Sequence, residues 1–165
     1  MPFTLVRIDD RYIHGQVATM WMQALPTKKC FVVNDMVVKG QMSRMVLEMI
    51  AINKNIALEI LGLEDGIKRL VEVQGDAENM WVLFGNPQDV LKAIQGGFKL
   101  EKVIVGFMRH SGEKKPIKPG AQVYVDAGDI QAMKEIDKLG VKLLYQKTPP
   151  ESPSDVIKLI SNMKE

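Results

Sequence analysis

The chain has 165 residues, a length suited to one domain that buries a sizeable core without disulfide or metal staples. Its hydrophobic fraction of 46% and charged fraction of 25% are those of an ordinary globular protein, and a net charge of +2 is too small to argue for nucleic acid. No apolar stretch approaches the ~18 residues of a spanning helix, and Met1-Pro2-Phe3-Thr4 lacks the basic-then-apolar build of a signal peptide.

Short β-rich runs alternate with helix-spaced ones along the whole chain, the pattern of βαβ units and a parallel sheet. We expect one α/β domain over residues 1–165, with a mainly parallel open sheet and helices on both faces. Strands are predicted at Phe3–Ile8, Cys30–Asn34, Ala57–Leu61, Met80–Phe84, Lys102–Val105, Gln122–Val125 and Lys142–Tyr145. Most are unbroken apolar runs, as expected where both sheet faces are covered. Helices are predicted around Val17–Ala24, Met42–Ile50, Ile67–Val71, Val90–Ile94, Ile130–Leu139 and Val156–Ile160, from apolar residues three and four apart. Asn86-Pro87 and Ser152-Pro153 offer caps ahead of prolines at first helical positions. The 11 methionines fall on these apolar helix faces and read as core filler. Cys30 has no partner for a disulfide and reads as a small core residue.

Between the first strand and first helix lies Arg7-Ile8-Asp9-Asp10-Arg11-Tyr12-Ile13-His14-Gly15-Gln16-Val17. A charged turn there carries a histidine at the mouth of an α/β sheet, the edge where such sheets bind ligands. An imidazole nitrogen is a competent nucleophile near neutral pH. Arg7 and Arg11 supply positive charge, and Gly15, Gln16 and Val17 offer helix N-terminal amides to an anion. This combination suits a phosphorylated histidine, with His14 as the carrier. Carboxylates repel phosphate, so Asp9 and Asp10 need other roles: one to fix the tautomer of His14, the other to orient an arginine. Asp10 is preferred to Asp9 as the supporting residue. His110 reads as a solvated loop histidine.

The segment resembles the N-terminal signature of the IIB components of the mannose/fructose/sorbose branch of the bacterial sugar phosphotransferase system. That pattern runs Arg-Ile-Asp-Asp-Arg-Leu-Ile-His-Gly-Gln-Val, and this chain departs from it only at Tyr12. The likeness continues at Val33-Asn34-Asp35-Met36-Val37, at Leu83-Phe84-Gly85-Asn86-Pro87-Gln88-Asp89-Val90, at Val123-Tyr124-Val125-Asp126 and at Thr148-Pro149-Pro150-Glu151. One stretch leaves the pattern: Ile104-Val105-Gly106-Phe107-Met108 stands where the family commonly has Asn-Val-Gly-Gly-Met or Asn-Val-Gly-Asn-Met.

The resemblance implies a protein-N(pi)-phosphohistidine–sugar phosphotransferase that takes phosphate from a phosphorylated IIA protein onto His14. It would pass that group to a sugar arriving through the membrane IIC and IID permease. Arg11 and Arg7 match the family's active-site arginines. The resemblance also implies a cytoplasmic protein associated with the permease at the membrane periphery, without metal, cofactor or nucleic acid, and allows one antiparallel strand. Val125–Ile130 and the tail look more like N-acetylgalactosamine-type members than mannose-type ones.

Downstream, Arg109, Lys114, Lys115 and Lys118 face only Glu113 within ten residues. We expect Arg109, Lys114 and Lys115 to attract the IIA partner and Phe107 to contact it, on a Ser111–Gly120 segment that reads as the most flexible element. Two alternatives remain at this level. A receiver-like domain would explain Asp9-Asp10 but needs an aspartate ending the third strand, which instead ends Ile60-Leu61-Gly62. An anion-binding regulatory module would use the His14 turn without chemistry. Phosphate-binding glycine loops, a zinc cluster and a serine nucleophile elbow all lack their motifs.

Overall fold

The unbroken apolar runs form a seven-stranded sheet in the order β3-β2-β4-β1-β5-β8-β9. These strands are β1 (Phe3–Asp9), β2 (Lys29–Val33), β3 (Ala57–Leu61), β4 (Met80–Phe84), β5 (Lys102–Phe107), β8 (Lys142–Tyr145) and β9 (Ser154–Asp155). All pair in parallel except β9, which runs antiparallel to β8. β6 (Lys115–Pro116) and β7 (Tyr124–Val125) make a separate two-stranded antiparallel sheet. The computed structural model describes residues 3–76 and 79–163, with the side chains of Gln16 and Val17 outside the described set.

Alternation along each strand sorts the core into two layers. Val6, Ile8, Phe31, Val33, Val82, Phe84, Val103 and Val105 face one side. There they meet α4 (Leu63–Val73), α5 (Pro87–Gln95), α6 (Ala127–Lys138) and α7 (Val156–Ser161). Leu5, Cys30, Val32, Trp81, Leu83 and Ile104 face the other, against α1 (Gly15–Ala24), α2 (Asp35–Lys39) and α3 (Gln41–Asn53). β1 sits between β4 and β5, so its C-terminal end emerges near the middle of the sheet edge. That places the His14 turn over the core, between flanking strand ends that can support it.

Local chemistry explains most element boundaries. The Asn86 side chain accepts from the Asp89 amide ahead of Pro87, fixing the start of α5. Asp126 and Asp129 form a reciprocal capping box at the start of α6. α2 was not expected as a helix: Asn34 caps Met36 and Val37, but five residues are too few for periodicity to register.

Three other expectations are corrected. Gln122–Val125 does not join the main sheet; only Tyr124–Val125 is strand, paired with β6, while Met108 and Val123 form an isolated bridge. The Ser111–Gly120 segment is anchored by that pairing and by buried Ile117, so Gly and Pro at its ends mark turns around a fixed point. Asp155, rather than Ser152, caps the last helix, because residues 154 and 155 are drawn into the sheet edge.

The methionines also differ from expectation. Met36, Met42, Met45 and Met49 are exposed, with Val46 and Ile52 beside them. α3 buries Leu47 and Ala51. A helix at the side of a sheet meets the core along one narrow stripe, so its remaining apolar positions face outward.

Gly66 illustrates how closely α4 lies on β2. A Cβ there would stand 2.6 Å from Val33 Cγ1 and 3.0 Å from Cγ2. An alanine gains about 1 kcal/mol of helix propensity, whereas overpacking costs about 1–3 kcal/mol, and a β-branched valine has little rotamer freedom to yield. Gly66→Ala is therefore expected to lower the denaturation midpoint at unchanged m-value. A raised midpoint would mean that α4 can move away without cost.

Candidate active site

β1 ends at Asp9, and the Tyr12 amide donates to the Asp9 carbonyl at 2.9 Å, closing a tight turn. Tyr12 occupies left-handed backbone space (φ 59°), uncommon for a side chain of that size. Its hydroxyl lies against Gly85 at the β4–α5 junction, where any Cβ would overlap it. Burial, followed by the charge of Asp89, pushes the Tyr12 phenol upward. Burial also raises the Asp89 carboxyl.

His14 is the N-cap residue of α1, in extended conformation, yet its side chain makes no capping hydrogen bond. Its carbonyl accepts from the Ala18 amide at 3.0 Å, so its backbone starts the helix while its ring stays available. Gly15 follows with φ +25° and nothing within 4 Å of a notional Cβ; conformation rather than crowding calls for glycine there. The Gln16 side chain, expected near phosphate, lies outside the described residues.

Asp9 is the centre of the site. It is fully buried, and five nitrogens, four from the side chains of Arg7, Arg11 and His14 and one backbone amide, converge on it. Arg7 Nη2 donates to Oδ2 at 3.3 Å, Arg11 Nε to Oδ1 at 3.3 Å, and the Arg11 amide to Oδ1 at 2.9 Å. His14 Nε2 lies 3.4 Å from Oδ2, a long hydrogen bond. Burial alone would raise this carboxyl. The His14 contact, the Arg7 charge and the two Arg11 hydrogen bonds outweigh it and hold Asp9 below the ordinary carboxylate range.

The residue expected in this role, Asp10, does something else. It accepts from the Arg109 amide at 2.9 Å and from Arg109 Nε at 3.1 Å, tying the segment after β5 to the active turn. Position decides the matter: Asp9 is the buried last residue of β1 and meets His14, whereas Asp10 lies in the turn beyond it and meets Arg109. Arg109 is thus already paired, which shifts it from docking charge to turn support.

The two arginines divide as well. Arg7 is buried; Nη1 donates to the Gln146 carbonyl at 3.0 Å and Nη2 to the Lys147 carbonyl at 3.2 Å. Trp21 Nε1 donates to the same Lys147 carbonyl at 3.1 Å, and the Arg7 guanidinium stands over the Trp21 ring. Desolvation lowers the Arg7 pKa despite the Asp9 charge beside it. Arg7 thus supports the site by pairing with Asp9, and its other contacts are to buried carbonyls. Arg11, with 30% of its side chain exposed, retains outward-facing donors.

Of the remaining expected residues, Lys114 lies 3.1 Å from Asp129 Oδ2 and so supports the α6 cap, while Lys115 is exposed on β6. Phe107 lies under Arg11, 3.6 Å from ring centroid to guanidinium carbon. His110 is exposed and stacks edge-on with Tyr124. Among the described residues, no cluster of three or more His, Cys, Asp or Glu could hold a metal ion. No described helix is long and apolar enough to cross a membrane.

Replacing Asp9 by Asn would leave Arg7 as a buried cation without its counter-charge, a change costing about 3–5 kcal/mol. A depressed carboxyl contributes stability above its unfolded value, about 3.9, and loses it as pH falls through the lower folded value. Wild-type stability should thus fall below about pH 4, with a flatter acid limb in Asp9→Asn. Parallel stability–pH profiles in denaturant titrations would refute the assignment.

Comparison with known proteins gives a consistent picture. The family model for the sorbose-subfamily IIB component of the phosphotransferase system matches residues 3–165. The chain is 36% identical over 143 residues to a sorbose-specific EIIB component of Klebsiella pneumoniae, covering 87% of this chain and 85% of that protein. It is 31% identical over 163 residues to the sorbose-specific EIIB component of Lacticaseibacillus casei, covering 99% and 98%. The crystal structure of the IIBSor domain of the Klebsiella pneumoniae sorbose permease superposes with a TM-score of 0.91 at 32% identity, covering 99% of each chain.

Proposed function

From the premise that the chain belongs to the sorbose-subfamily IIB components of the phosphotransferase system, we propose that His14 carries a phosphoryl group from a phosphorylated IIA protein to a sugar. The transfer accompanies uptake through membrane IIC and IID partners. The observation that carries this reading is the His14–Asp9 pair. With Nε2–H directed at an ionised, buried carboxylate, the lone pair resides on Nδ1, the nitrogen left to attack phosphorus.

The steps follow from charge. The Nδ1 lone pair forms the new N–P bond as the donor's own N–P bond breaks, returning that imidazole to neutrality. The His14 ring becomes cationic, and Asp9 stabilises that cation as a carboxylate does in other His–Asp pairs. Charge spread over the three phosphoryl oxygens meets the remaining donors of Arg11 and the first amides of α1. In the second transfer a sugar hydroxyl attacks the same phosphorus as the His14 N–P bond breaks; the hydroxyl proton is lost to water, and His14 departs neutral. Position and electrostatics supply the catalysis.

Relatives named for sorbose and for N-acetylgalactosamine match at 36% and 31% identity. This separation supports a sugar substrate without selecting one.

His14→Ala should keep the wild-type melting temperature and accept no phosphate from phosphorylated IIA, whereas wild type acquires acid-labile, base-stable label. Arg11→Ala should slow transfer on the order of 10²-fold, with partial recovery in Arg11→Lys, where a point charge replaces a planar fork. Labelling of His14→Ala at wild-type rate would sink the proposal. An unlabelled wild type would leave the turn as an anion-binding module.

A further inference from the structure

β1 and β5 run in simple register from Arg7↔Ile104 through Ile8↔Val105, and then the register slips, so that Asp9 pairs with Phe107. Gly106 is the skipped residue. The buried Arg7 guanidinium fills the space a side chain at 106 would occupy: any Cβ there would overlap it. The bulge therefore delivers a phenyl ring, rather than Gly106, opposite Asp9. Arg11 Cζ lies 3.6 Å from that ring's centroid.

Arginine side chains as exposed as Arg11 ordinarily sample many rotamers. Here two sets of contacts restrain it. Asp9 holds one edge of the guanidinium, through Nε at 3.3 Å and Nη2 at 3.4 Å. An edge contact alone leaves the group free to tilt about that edge. The Phe107 face removes that freedom by stacking on the plane, and cation–π attraction adds to the contact. The donors not used by Asp9 then project from a fixed plane beside His14, which shares the same carboxylate.

We propose that Phe107 is a positioning residue for phosphoryl transfer, its ring fixing the plane in which Arg11 presents its free donors to the phosphoryl group on His14. The proposal rests on His14 being the phosphoryl acceptor. It replaces the expectation that Phe107 contacts the IIA partner, because the ring face is occupied from within. Phe107 also stands at the position where this chain leaves the resembling pattern, so the platform is a feature of this sequence.

The test uses phosphoramidate, a small N-phosphoryl donor with no surface to dock, alongside phosphorylated IIA. With phosphoramidate, attack by Nδ1 breaks the donor N–P bond and releases ammonia. Phe107→Leu keeps bulk but removes the π face. It is expected to lower kcat for His14 labelling by about tenfold with either donor, leaving KM within about twofold and the melting temperature close to wild type. Phe107→Tyr should restore the rate. In an Arg11→Ala background Phe107→Leu should cost nothing further, because the ring acts through that arginine. Three results would overturn the proposal: unchanged kcat in Phe107→Leu, an equal fold-loss in the Arg11→Ala background, or a raised KM seen only with phosphorylated IIA. Failure of the carrier reading is distinct, since wild type itself would then take no label from IIA.

Discussion

A single buried carboxylate organises the active edge of this protein. Asp9 has no access to solvent, and its charge is sustained by Arg7, Arg11 and His14 together. Each ion alone would be costly in that position, and the group is stable because every polar atom finds a partner. Among the described residues, no buried side-chain nitrogen or oxygen lacks a hydrogen bond. The same carboxylate thereby sets the histidine tautomer, restrains the exposed arginine and neutralises the buried one.

Consequences spread outward from Arg7. Its guanidinium holds the Gln146 and Lys147 carbonyls, which brings the segment after β8 beside β1 and against Trp21 of α1. It also leaves no room for a side chain at residue 106, where the β1–β5 register shifts. One buried side chain thus shapes three segments around the site, while Arg11 stays partly exposed.

Charge distribution changes meaning once pairs are known. Counted along the chain, the segment from Arg109 to Lys118 is a strongly basic loop. In space, Arg109 is matched by Asp10 and Lys114 by Asp129, while Lys118 stands over the Tyr145 ring and Lys115 is exposed at the surface. The surface field there is therefore weaker than a count of lysines and arginines suggests. The more distinctive surface is apolar, on α2 and α3, where four methionines face outward.

The sequence by itself determined the architecture and singled out His14 as the candidate acceptor. Unbroken apolar runs such as Met80–Phe84, short and bounded by turn residues, read as strands covered on both faces, and three predicted strands match in full. The motif from Arg7 to Val17 named His14 and both arginines, since local order along a turn survives folding. Tertiary structure decided the division of labour. Asp9 and Asp10 are chemically identical neighbours, and only their places in the fold, the buried end of β1 and the turn that follows it, send one to His14 and the other to Arg109. Arg7 and Arg11 differ only by what surrounds them, namely carbonyls from residues nearly 140 positions away for one and solvent for the other. Phe107 reads as a contact residue until a bulge in the β1–β5 pairing sets it opposite Asp9 with its ring beneath Arg11. Such assignments depend on contacts between distant segments, and no local pattern encodes them.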